Sequence, residues 1–300
     1  MAVSRITICK DGPNFSRLVQ GFGSILREGI SNATELHNYL SACLDEGITT
    51  FDNAAGYSNG QAETLFGEVL AQDPSLRVKI QLVSKCGIIG ATSNTVHMYD
   101  TSKEHLIFSA ERSLKRMQTD HLDLLLIHRP DMLMDADEVA AAFSVLRKSG
   151  KVRYFGVSNH TPSQFNLLAS RLDFPLVTNE IEFSVLKMQV QYDGTLDLCQ
   201  KLRISPMIWG PLCGGKLFTE DTEQTIRVRK ALCEVGEMLN GASMDQVALA
   251  WILRHPVKAL PLMGTGNVVE MRSHVKADSL QMNRDQWFRI WMASENREVP

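Results

Sequence analysis

The feature that most limits how this chain can fold is a repeated order of short, apolar, strand-like runs and amphipathic stretches. The strand-like runs are Leu18–Phe22, Thr49–Asp52, Ile80–Lys85, Leu122–His128, Tyr154–Ser158, Leu176–Asn179, Ser205–Trp209 and Leu260–Gly264. Helical patterns lie between them at 34–46, 63–71, 103–117, 136–149, 162–170, 195–201, 229–239 and 244–254, and a last amphipathic stretch covers 284–294. Start and stop signals agree with these limits. Asn32 or Ser31 precedes the first helix and Gly47 follows it, Ser102 precedes the third, and Thr161-Pro162 opens the fifth. Strand followed by helix, repeated, demands parallel pairing, because a parallel neighbour needs a long crossover and a helix supplies it. Six or fewer such units would favour an open doubly wound sheet, whereas eight close into a (β/α)8 barrel.

Length and composition fit that reading. A single α/β barrel needs roughly 250 residues, and the 300 residues here contain no composition break or linker. Residues 1–300 are therefore predicted to form one α/β barrel domain. Arg5–Cys9 and Ser16–Gln20 flank Asp11-Gly12-Pro13 and read as a hairpin capping the N-terminal end of the barrel. A formal net charge of −3 argues against nucleic acid or an anionic membrane as partner. The basic group Arg227, Arg229 and Lys230 is broken by apolar residues and reads as a solvated helix face. No secretory signal or apolar run of about 18 residues is present. The six cysteines are scattered without metal-ligand spacing, as expected of reduced thiols in a cytoplasmic protein. Cys86 adjoins Lys85, and a nearby cation can lower a thiol pKa. No metal site is expected.

Several strand-like runs end on residues that are costly beside a hydrophobic strand unless paired or in use. Asp52 closes Thr-Thr-Phe-Asp, Lys85 closes the run from Ile80, and His128 closes the run from Leu122; Tyr57 follows Asp52 in the same loop. In a parallel barrel the C-terminal strand ends share one face, where chemistry is assembled. Together these groups make a proton donor. A tyrosine with a reference pKa of about 10 is a weak acid near neutrality. An adjacent ammonium strengthens it. Asp52 can hold Lys85 charged and in place, and His128 stands at the next strand end.

Over essentially its full length the chain resembles the aldo-keto reductase family, and within it the bacterial single-domain oxidoreductases and the potassium-channel β-subunit branch. The resemblance rests on Phe51–Tyr57 (FDNAAGY), Val83–Gly87 (VSKCG), Asp120–Asp131 (DHLDLLLIHRPD), Gly150–His160 (GKVRYFGVSNH) and the segment around Thr178–Glu180. It implies Tyr57 as proton donor with Lys85, Asp52 and His128 as its supporting tetrad, and a nicotinamide cofactor extended across the barrel mouth. No Rossmann-type GxGxxG loop is present, but the resemblance requires none. It assigns Ser158 and Asn159 to the carboxamide, Trp209 to stacking on the nicotinamide, and neighbouring contacts to Gly210 and Leu212.

Two departures bear on the cofactor. The family usually has Gln beside Asn after strand six, whereas Asn179 is followed by Glu180, which can still bind the nicotinamide by accepting from the carboxamide NH2 but does not donate unless protonated. After strand eight the family's pattern grips a 2′-phosphate with a basic residue, a Ser or Thr, and a later Arg. Here Gly264, Thr265 and Gly266 stand first, Glu270 takes the Arg position, and Arg272 lies two residues on, about 200° round a helix. Backbone N–H groups of 264–266 at the next helix's N-terminus offer a phosphate another site. The resemblance thus implies NADP(H) first, with NAD(H) or dual use as the alternative.

The expected activity is NAD(P)H-dependent reduction of aldehydes or ketones to alcohols, with a small-molecule carbonyl compound as partner. Phe22, Ile25, Ile88, Ile89 and Arg129 are candidate walls of the substrate site. The alternatives are a reductase-like regulatory module that binds cofactor with little turnover, and a Schiff-base aldolase using Lys85. Oligomeric state is not specified by the sequence.

Overall fold

The computed structural model describes residues 2–299. A hairpin of β1 (Arg5–Thr7) and β2 (Asn14–Ser16) comes first, followed by β3 (Val19–Gly21), β4 (Thr50–Asp52), β5 (Gln81–Cys86), the short ribbon β6 (Ile88–Ile89) and β7 (Met98–Tyr99), β8 (Leu122–Ile127), β9 (Val152–Ser158), β10 (Leu176–Glu182), β11 (Met207–Trp209) and β12 (Leu260–Met263). Eight of these, β3, β4, β5, β8, β9, β10, β11 and β12, pair in parallel in chain order and close with β12 against β3. The expected barrel is what forms.

The crossovers are α1 (Ala33–Asp45), α2 (Gln61–Gln72), α3 (Lys103–Arg116), α4 (Ala136–Lys148), α5 (Pro162–Ala169), α6 (Thr195–Leu202), α7 (Lys216–Thr219), α8 (Glu223–Met238) and α9 (Met244–Leu253), with α10 (Val268–Val275) and α11 (Arg284–Glu295) after the last strand. Their starts follow local chemistry. The side chains of Asn32, Ser102 and Asp135 accept first-turn N–H groups, and Thr161 with Gln164 forms a reciprocal capping box. Helix α8 begins six residues before the apolar pattern suggests, because Thr222 and Thr225 cap it reciprocally where a Glu or Gln is the usual signal. Helix α11 docks on α9 through Trp251 and Trp287, whose rings stack at 4.7 Å while each indole N–H donates to the other's carbonyl.

The hairpin differs from expectation in its second arm. Ser16 ends that arm, and its hydroxyl donates to the Leu18 carbonyl as the chain turns into β3. Ile8 and Phe15 are buried, and the Ile8 carbonyl accepts from Ser205 N, so the hairpin covers the N-terminal end. Strand β10 runs beyond Asn179 because Glu180 has neighbours on both sides, Ser158 on β9 and Met207 on β11. Glu180 therefore sits inside the sixth barrel strand rather than after it.

Candidate active site

Parallel register aligns the polar strand ends. Gly21 pairs with Asp52, Asp52 with Val83, and Lys85 with Leu126, so successive strands bring Asp52 and Lys85 to one level inside the barrel. His128 follows β8, and its N–H is held by the Cys86 carbonyl at 2.8 Å. Tyr57 opens a tight turn in which Ser58, Asn59 and Gly60 take left-handed φ values, and the loop before it is tied to β5 by Asn53 N to Val83 O and Ala55 N to Lys85 O, both 2.9 Å. All four predicted tetrad residues meet.

Lys85 is the centre. Its ammonium donates to Asp52 Oδ1, to the Tyr57 hydroxyl at 3.1 Å and to the Asn53 carbonyl at 3.3 Å. Asp52 and Lys85 have no solvent exposure. Burial works against the charged Lys85, but Asp52, Glu180 and Tyr57 overcome it and raise its pKa. The amine stays protonated, which is unsuited to Schiff-base chemistry. Burial pushes the Tyr57 phenol up to about 12; Lys85 pulls it down, while Asp52 and Glu180 add to the rise. The pull of Lys85 has the expected sign, but burial outweighs it. His128 lies edge-on to Tyr57, with centroids 5.7 Å apart. Burial, then Lys85 and Arg129, push its imidazole down to about 2, so the ring is neutral and has one N–H to give.

A second buried network, which the sequence did not disclose, holds the Tyr57 loop. Glu63 on α2 is fully buried and accepts from Ser84 Oγ at 2.7 Å and from Arg116 on α3 at 3.2 Å. The same Arg116 nitrogen donates to the Ala55 carbonyl at 3.1 Å. At Gly60, where φ is +87°, a Cβ would sit 2.1 Å from the Arg116 guanidinium carbon. Glycine there serves both the turn and the close approach.

The predicted cofactor contacts fall into two groups. Asn159 takes a left-handed φ of 60° at the end of β9, which points to function at a strand end. Its amide donates to Ser158 Oγ and its carbonyl oxygen accepts from Trp209 Nε1, both at 2.8 Å. Ser158, Asn159 and Trp209 thus form one polar and aromatic corner. Gly210, at φ +64°, and Leu212 lie in the turns that follow, their carbonyls accepting from Cys213 N at 2.9 Å and Gly215 N at 3.1 Å. The Arg129 guanidinium lies over the Trp209 ring, 5.3 Å from its centroid.

At the far end, the Gly264 carbonyl accepts from Ser24 Oγ, and the Thr265 carbonyl accepts from Tyr39 OH and Gln20 Nε2. The Thr265 hydroxyl donates to Glu270 at 2.7 Å. A Cβ at Gly266 would come within 2.9 Å of Glu28, so that glycine answers a packing need. The first-turn N–H groups of Val269 and Glu270 are capped by Asn267. Arg272 turns away to Glu46 at 3.0 Å.

Glu180 stands apart from both groups. Its side chain enters the barrel, with Oε2 at 3.3 Å from Lys85 Nζ. The Cys86 thiol is buried and pushed up to about 12 by that burial and by Glu63, the opposite of an activated thiol. Among the described residues no group of three or more His, Cys, Asp and Glu side chains is arranged to hold a metal. No helix among them is long and apolar enough to cross a membrane.

A closed parallel barrel with such a cluster at its strand ends is the architecture of a carbonyl-reducing oxidoreductase. The chain belongs to the aldo/keto reductase family, which it matches over residues 18–295. It is 49% identical to the oxidoreductase YdhF of Escherichia coli, over 99% of this chain and 100% of that protein. It is 41% identical to a 6-dehydroglucose reductase of Agrobacterium fabrum, over 96% and 97% of the two chains. The crystal structure of the thermostable aldo-keto reductase Tm1743 in complex with the inhibitor epalrestat shares the fold, with a TM-score of 0.82 at 24% identity over 97% of this chain and 99% of that one.

Proposed function

We propose that this protein reduces aldehydes or ketones to alcohols with a nicotinamide cofactor, Tyr57 delivering the proton. The observation that carries the reading is the Tyr57 hydroxyl 3.1 Å from an ammonium that is itself held by Asp52. A regulatory module with little turnover has no need for that pairing.

When bound, a nicotinamide cofactor would supply the hydride for the carbonyl carbon. Tyr57, protonated at neutral pH, gives its proton to the oxygen as negative charge develops there. Lys85 stabilises the phenolate left behind and Asp52 fixes the Lys85 amine. The neutral His128 ring donates to the same oxygen, which orients the carbonyl. The corner made by Ser158, Asn159 and Trp209 fits an amide-bearing aromatic ring, its polar groups for the amide and its indole for stacking.

The far end fits a 2′-phosphate less well than the resemblance implies. Glu270 places a carboxylate on Thr265, Arg272 is engaged by Glu46, and Asn267 takes the first-turn donors of α10. A carboxylate repels phosphate but accepts from a ribose hydroxyl. This supports use of NAD(H) beside NADP(H), with Glu270 setting the balance.

Tyr57→Phe tests the reading. It should keep cofactor binding and lower kcat for reduction by about 100-fold or more. The assay is NADH and NADPH oxidation with an aldehyde panel that includes 6-dehydroglucose, chosen because a relative is named for it. Near-normal turnover by this variant removes Tyr57 from the role.

A further inference from the structure

We propose that Glu180 is a proton-bearing positioning residue: it holds a proton against Asp52 beneath Lys85, and losing that proton weakens Tyr57 as a donor. The inference rests on the carbonyl-reduction reading and adds to it a residue that the tetrad does not contain.

An ammonium has three N–H bonds, and those of Lys85 serve Asp52 Oδ1, Tyr57 OH and the Asn53 carbonyl. Glu180 Oε2 at 3.3 Å is close enough for ion pairing, yet it lacks the alignment for a hydrogen bond. Asp52 Oδ2 is likewise buried with no partner. Two carboxyl groups therefore face one cation in a site closed to solvent. With both ionised, the cluster carries an uncompensated negative charge and two orphaned oxygens, each costly in such surroundings. One proton placed on Glu180 and donated to Asp52 removes the excess charge and satisfies the pair, as in other carboxyl pairs that share a site.

The charged and titratable groups around Glu180 agree. Asp52 comes from β4, Lys85 from β5 and Tyr57 from the loop after β4, while the flanking strands place the uncharged Ser158 and Met207 beside it. His128, at the end of β8, is neutral. Burial, then the Asp52 charge, push the Glu180 carboxyl up to about 8 against the pull of Lys85.

The consequence reaches Tyr57. Ionised Glu180 places a second negative charge on the Lys85 ammonium and opposes the phenolate that proton donation leaves behind. Reduction then slows as Glu180 loses its proton. The reverse reaction, which needs the phenolate, requires a higher pH than it would without this carboxyl.

The experiment compares wild type with Glu180→Gln, which keeps the shape and removes the titration. Infrared difference spectra at pH 6.5 should show a protonated carboxylic acid in wild type that is absent from E180Q. In wild type that band should disappear as the pH is raised to 9.5. Over the same range, kcat for reduction should fall by about tenfold in wild type and less than about twofold in E180Q. Absence of the band overturns the proposal. So does an E180Q pH profile that parallels wild type, and so does an E180Q effect confined to the KM for cofactor, which would assign Glu180 to the carboxamide. Should E180Q fail to fold, the pH titration of the wild-type band and rate decides alone. Tyr57→Phe, run alongside, separates the two claims: retained reduction by that variant defeats the tetrad reading, whatever the infrared result.

Discussion

The substitution Arg116→Met should destabilise the barrel well beyond what a surface ion pair contributes. The Arg116 side chain is 24% exposed, but its partner Glu63 has no exposure at all. Removing the guanidinium leaves a buried carboxylate whose remaining donor is the Ser84 hydroxyl. Breaking a buried pair from one side costs about 3–5 kcal/mol, against about 0–1 kcal/mol for an exposed pair. In a chain of 300 residues that corresponds to a drop in Tm of roughly 5–8 °C. The Ala55 carbonyl also loses its Arg116 donor, two residues before Tyr57. A fall in kcat should therefore appear below the melting range. The control is a double-mutant cycle with Glu63→Gln, measured by circular dichroism and urea unfolding. Adding Glu63→Gln to the R116M variant should restore at least about 1 kcal/mol, since it removes the stranded charge. If R116M lies within about 0.5 kcal/mol of wild type, the buried-charge argument fails.

Two further predictions follow from the site. The neutral His128 has a folded-state pKa pushed far below its ordinary 6.5, so its contribution is complete above pH 6.5 and is lost as pH falls and the unfolded chain takes up protons. Between pH 6.5 and 5 this amounts to roughly 2 kcal/mol, and wild type should lose Tm more steeply than His128→Asn across that interval; parallel curves would refute it. Glu270→Gln should lower the KM for NADPH by about fivefold or more with little change for NADH, because one repulsive charge leaves the phosphate position. Equal shifts for both cofactors would remove Glu270 from that role.

The barrel, and the meeting of Asp52, Tyr57, Lys85 and His128 at its strand ends, were legible in the sequence because each signal is local. A strand-like run that ends on Asp, Lys or His shows both the strand and its polar end, and parallel register does the rest. What escaped was what depends on three-dimensional neighbours. Glu63 reads as an ordinary first-turn acid of α2 until Ser84 and Arg116 close around it. The lowering of Tyr57 expected from Lys85 was outweighed by burial, a quantity that residue spacing does not contain. Arg272 had helix geometry against it from the start, and Glu46 gives it a partner elsewhere.

Glu180 shows how small an error changes a residue's chemistry. Placed after a strand that ends at Asn179, it belongs to a loop and is free to reach a ligand. In fact β10 continues to Glu182, and within a strand successive side chains point to opposite faces. Asn179 turns to the β9 side, where it accepts from His160 N at 3.3 Å and donates to the His160 carbonyl at 2.7 Å. Glu180 must then point the other way, into the barrel, where Lys85 and Asp52 already stand. The pairing of Glu180 with Ser158 and Met207 is what commits the strand to this length. A glutamine at this position would meet Lys85 and Asp52 without adding a charge. The carboxyl brings a titration into the centre of a proton-transfer site.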